Sequence, residues 1–101
     1  MNRSIDLFDG HCDTVLMRYL QGGNFWKNDG HVDLERAGRY RRYAQFFAIW
    51  GQPEDFPGRD LRGMALWSIF QEEYNLFRRE MADQQDRIRH CRTAAEAEAA
   101  F

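Results

Sequence analysis

"SIDLFDGHCD" spans residues 4–13, and its reading decides what the rest of the chain is taken to be. Ile5, Leu7 and Phe8 put apolar side chains on both sides of an extended segment. That pattern predicts a strand over residues 4–10 that is buried on both faces. "TVLMRYLQGG" follows and predicts a short helix, with Asp13 or Thr14 able to cap it and Gly22 and Gly23 to end it.

Beyond this unit, "NFWKNDGH" is turn-like around Asn28, Asp29 and Gly30. "VDLERAGR" offers one or two helical turns, capped by Asp33 and stopped at Gly38. "YAQFFAIW", residues 43–50, is the second expected strand, and "GQPEDFPG" after it is a loop holding both prolines. Leu61, Met64, Trp67, Phe70, Tyr74, Phe77, Met81 and Ile88 then recur every three or four residues. This stripe predicts one long amphipathic helix over residues 60–90, roughly 45 Å at 1.5 Å per residue. Such a stripe can fill a partner's groove, but its ordinary use is to pack on a sheet. Thr93 and Glu96 form a T-x-x-E capping box that announces a further helix over residues 94–101. Two strands cannot make a sheet with covered edges. The expectation is therefore the N-terminal portion of a longer α/β protein, with helices packed on a sheet still to be completed.

Composition removes several classes of function. Of 101 residues, 44% are apolar and 15% aromatic, which is globular and not disordered. Fourteen basic residues meet 16 acidic ones for a net charge of -2, and only Arg36, Arg39, Arg41 and Arg42 cluster. A nucleic-acid face needs uncompensated positive charge, so no nucleic-acid partner is expected. No apolar run approaches the roughly 20 residues that cross a bilayer, and no secretory leader is evident, so no membrane partner is expected. Cys12 and Cys91 are read as reduced thiols in a cytoplasmic protein, each a small buried hydrophobe.

The chemistry-bearing pattern is Asp-Gly-His-x-Asp, written at residues 9–13 and again at residues 29–33. In a strand, residues two apart point the same way, so His11 and Asp13 project together and Cys12 points away. Strict alternation places Ile5, Leu7 and Asp9 on the face of His11, and Phe8 on that of Cys12. At the C-terminal end of a barrel strand, an imidazole and a carboxylate suit Zn²⁺. The alternative is a polar strand-to-helix junction in which Asp13 only caps. His31 and Asp33 lack a buried strand before them and are read as a loop residue and a helix cap. Trp50, at the end of the second strand, is a possible pocket-lining residue or an ordinary core aromatic.

"IDLFDGHCDTVL" resembles the opening strand of the membrane (renal) dipeptidase family, within the amidohydrolase-like metal-dependent hydrolases. "HVDLERAGRYRRYAQFFAIW" extends the resemblance, with Asp33 to Arg36 standing as a D-x-x-R segment and Gln45, Phe46 and Phe47 as Q-F-F. The two blocks cover about half of the chain. The resemblance implies a (β/α)₈ TIM-type barrel with a two-zinc site that hydrolyses dipeptides by metal-activated water, His11 and Asp13 being metal ligands. Family members often carry Asn where this chain has Cys12. The bridging glutamate and two later histidines are not recognisable in residues 1–101, and Glu96 and Glu98 fall on an expected helix. The segment alone is thus expected to be inactive, to bind metal weakly and to self-associate. Other readings are a fragment of another amidohydrolase-like hydrolase, whose usual first-strand pattern is His-x-His, or a small helical interaction module working through residues 60–90.

Overall fold

A computed structural model describes residues 4–52, 55–56 and 64–101. The order of elements is β1 (Asp6–Cys12), α1 (Thr14–Gln21), α2 (Leu34–Ala37), β2 (Arg42–Phe47), α3 (Met64–Asp83) and α4 (Ala94–Ala100). The two strands pair in parallel, so the chain is mixed α/β with α1 and α2 carrying the crossover between them. Both strands are displaced from their expected bounds. β1 begins later and runs on to Cys12, so that His11 lies within the strand. β2 stops at Phe47, although the Ala48 N–H still donates to the Cys12 carbonyl at 3.1 Å.

The register of the pair contains one irregularity. Asp6, Leu7, Phe8 and Asp9 oppose Arg42, Tyr43, Ala44 and Gln45, whereas Cys12 opposes Phe47. Three steps along β1 thus match two along β2, which is a bulge over Gly10 and His11. The extra residue breaks the strict alternation expected from the sequence. Cys12 comes to share the side of Leu7, Asp9, Tyr43, Gln45 and Phe47, and Phe8 does not share it. Phe8 lies with Phe46 on the other side, ring centroids 5.6 Å apart and edge to face. These two rings are 66% and 62% exposed, so the expectation of strands buried on both faces is not met among the described residues.

The core sits on the opposite side, between β2, α1 and α3. Val15, Phe25, Leu76 and Phe77 form one buried cluster, with Phe47 packed against it and stacked on Phe25 at 5.3 Å. Leu16, Phe56 and Ile69 form a second. Each apolar side chain taken from water here contributes about 1.5–3 kcal/mol.

The long helix departs from its expected form in two ways. It has 20 residues and ends at Asp83, with a single further turn in which the Ile88 N–H meets the Gln84 carbonyl at 3.1 Å. Asp83 and Asp86 place negative charge at a helix C-terminus, where the macrodipole opposes it, and no basic residue stands in the last turn. Residues 60–63, where the helix was expected to begin, lie outside the described ones. The buried face is also different. Ile69, Glu73, Leu76, Phe77, Glu80 and Gln84 face inward, while Trp67 and Tyr74 are exposed. At about 100° per residue this face is turned roughly a quarter of the way round from the apolar stripe.

The last helix forms as its capping box predicts. Thr93 Oγ1 accepts from the Glu96 N–H at 3.1 Å, and the Glu96 carboxylate reaches back to the Arg92 N–H. No residue of α4 is buried. None of the described helices is long and apolar enough to cross a membrane.

Candidate functional site

β1 delivers His11 and Asp13 to one spot. His11 Nε2 and Asp13 Oδ1 lie 2.9 Å apart, both side chains reaching solvent. The joint projection expected from the spacing is present. The His11 N–H donates to Asp9 Oδ1 at 3.2 Å, which fastens the bulged segment.

Asp13 holds the N-cap position of α1, yet its side chain makes no capping bond. Its backbone carbonyl accepts from the Met17 N–H at 3.0 Å, so the helix starts normally while the carboxylate is turned toward His11. Asp33 behaves in the opposite way. It caps α2 through the Arg36 N–H at 2.8 Å, accepts from the Asn28 N–H at 3.0 Å, and pairs with the Arg36 guanidinium at 3.0 Å. Burial alone would raise this carboxyl. The Arg36 guanidinium and the Arg36 and Asn28 N–H groups outweigh it and hold the carboxyl below the usual carboxylate range. The D-x-x-R segment is thereby a cap joined to an ion pair. Asn28 closes the turn before it, donating to the Asn24 carbonyl at 2.9 Å and the Val32 carbonyl at 3.1 Å.

The basic cluster is also partly neutralised. Arg36 meets Asp33, and Arg41 forms a two-bond pair with Asp6 at 2.7 and 2.8 Å. Cys12 is buried between His11 and Asp13 in sequence, and burial pushes its thiol up, against a bond with Thr14, so it remains protonated at neutral pH. Cys91 is only half-buried.

The donor pair suits one divalent cation. With bonds of about 2.0–2.2 Å to His nitrogen and carboxylate oxygen, donors 2.9 Å apart subtend roughly 85–90° at the ion. Two protein donors fall short of the three or four that zinc takes, and no group of three His, Cys, Asp or Glu among the described residues could hold a metal.

Two features here are absent from the sequence reading. Asp13 lines a hollow of about 30 Å³ together with Thr14, Met17, Arg18, Asn28, Gly30 and His31. The fold thus brings residues of both Asp-Gly-His-x-Asp stretches to one depression, Asp13 from the strand end and Gly30 and His31 from the loop. Trp50, exposed beyond β2, is not among the lining residues.

The second feature is Glu73 on α3. It is fully buried, and neither carboxylate oxygen has a hydrogen-bond partner among the described residues. Burial pushes this carboxyl up to about 7. The Trp50 backbone opposes the shift in part, while the negative charges of Asp55 and Asp13 add to it. A glutamate amid an apolar helix reads as solvated, so only the tertiary packing identifies it. No protein-family model matches the chain, and no curated protein or solved structure matches it.

Proposed function

We propose that this chain is the opening part of a (β/α)₈ barrel hydrolase of the membrane dipeptidase type, with His11 and Asp13 as two ligands of its zinc site. The observation that supports this reading best is the carboxylate of Asp13. It stands at a helix start, where capping is worth about 1 kcal/mol, and is turned instead toward an imidazole. Active sites of parallel barrels gather at the C-terminal ends of strands, and Cys12 ends β1 between these two side chains.

Zinc held there would supply a Lewis acid for the peptide carbonyl and acidify a water. The chain's own part is to offer one imidazole nitrogen and one carboxylate oxygen on a strand end fixed by the bulge. Because two ligands leave the centre incomplete, the 101-residue chain is inactive on dipeptides and binds zinc weakly.

The exposed Trp67 and Tyr74 of α3 favour a second reading, a helical interaction module. It leaves the pairing of His11 with Asp13 without a part.

Cobalt absorption and zinc calorimetry on the wild type, His11→Ala, Asp13→Ala and His31→Ala test the proposal. Weak binding lost with either of the first two substitutions and kept with the third is the expected result. Binding indifferent to His11→Ala, or lost equally with His31→Ala, would reject it.

A further inference from the structure

Arg18 projects from α1 into the hollow described above, and its environment does not satisfy it. Its side chain is 4% exposed, yet Nε has no hydrogen-bond partner. Its Nη2 reaches Gln21 Oε1 and Asp29 Oδ1 only at 3.4 Å each. Charge-assisted bonds to a carboxylate normally close to about 2.7–2.9 Å. Moreover, the carboxylate paired with this buried guanidinium among the described residues is that of Asp29, whose side chain is 90% exposed to water. A buried charge is costly unless it is well paired.

The backbone makes room for this group. A Cβ at Gly23, where φ is +95°, would lie 2.9 Å from Arg18 Nη1, and one at Gly30 would lie 3.4 Å from Nη2. Two glycines of the connection between α1 and α2 thus flank the guanidinium, and side chains at either position would crowd it. The hollow beside it has about 30 Å³, enough for a water or two or for the oxygens of one small anion. On its rim, the Asp13 carboxylate is engaged by His11, which limits its repulsion of an incoming anion.

We propose that Arg18 and this hollow bind a small carboxylate, which displaces Asp29 and completes the pairing of the guanidinium. The fork of Arg18 matches a carboxylate bidentately, as a lysine's point charge would not. This proposal stands independently of zinc binding by His11 and Asp13. The same chemistry is carried by a free small acid and by the C-terminus of a peptide.

The test is titration of the full chain with acetate, N-acetylglycine and N-acetylglycine amide, followed through the amide resonances of Gly23, Asn28 and Gly30. Saturable shifts with both acids and none with the amide are expected. Equal response to the acids assigns a free anion, and a stronger response to N-acetylglycine assigns a peptide terminus. Asp29→Ala, a change at an exposed side chain, removes the internal competitor and should tighten acetate binding several-fold. Arg18→Lys should abolish it. Absence of saturable shifts in both the wild type and Asp29→Ala would overturn the proposal. So would shifts that the amide reproduces, or affinity unchanged by Asp29→Ala, a readout that survives even if Arg18→Lys does not fold.

Discussion

Asp13 and Asp33 both stand at the N-cap of a helix, but only the carboxylate of Asp33 bonds to the helix it begins. The two occur in the same five-residue pattern, so the difference comes from what surrounds each. Asp33 is buried against Asn28 and Arg36, whereas Asp13 follows a strand end and faces His11.

This contrast predicts unequal costs of removal. Asp33→Ala should destabilise the chain by about 1–3 kcal/mol, because it deletes a cap and leaves Arg36 and the Asn28 N–H without their partner. Asp13→Ala should change stability by no more than about 0.5 kcal/mol. Urea unfolding midpoints at constant slope measure both, and equal losses would contradict the assignment of roles.

The inward face of α3 makes a second prediction. Ile69→Ala should cost about 2–4 kcal/mol, since the side chain is fully buried against Leu16 and Phe56. Trp67→Ala, only two positions earlier, should cost far less because Trp67 is exposed. The reverse order in thermal or urea unfolding would restore the apolar stripe as the packed face.

Glu73 gives the fold a pH dependence of unusual sign. Its carboxyl ionises near 7 when folded, against an ordinary value of 4.5. Between these values the folded chain holds a proton that the unfolded chain has released, so stability falls as pH rises through that window. The loss by pH 8 is on the order of 3 kcal/mol at one pKa unit per 1.36 kcal/mol. Glu73→Gln should flatten the profile between pH 4.5 and 7 and raise the melting temperature at pH 8. A melting temperature at pH 8 lowered by the substitution would show that the anion is stabilised in the fold.

The outward side of the sheet predicts association. Phe8 and Phe46 meet edge to face, largely in solvent, on a pair of strands with no further strand beside them among the described residues. Exposed edges and apolar patches of this kind drive self-pairing. Sedimentation velocity should show concentration-dependent oligomers that Phe46→Lys reduces, and a wild-type monomer at all concentrations would refute the expectation.

Much of the local structure was legible because local chemistry determines it. Gly22 and Gly23 end α1, Asp33 caps α2, and Thr93 with Glu96 opens α4, each through contacts within a few residues. The spacing of His11 and Asp13 was legible for the same reason. Glu73 and Glu80 were not, since residue type alone assigns them to solvent. Glu80 is buried because its carboxylate accepts the Phe25 N–H at 2.7 Å, a partner 55 residues away. With two glutamates on the inner face, the apolar count pointed about a quarter turn away from the packed face of α3. The hollow at Arg18 was invisible for a related reason, because its walls come from α1 and from the connection that folds back on it.

The bulge over Gly10 and His11 carries a consequence for how this strand end can vary. Inside and outside are kept here by counting residues, and one residue too many is already built in. Deleting Gly10 would restore even alternation without changing any side chain's chemistry. Asp9 and Cys12, already on one side across the bulge, would keep that side and their partners Gln45 and Phe47. A further residue inserted there, beyond what the bulge absorbs, would instead turn His11 and Cys12 to the other sides and part Cys12 from Phe47, with every motif letter still in place. For this segment, length is as much a determinant of the chemistry as identity.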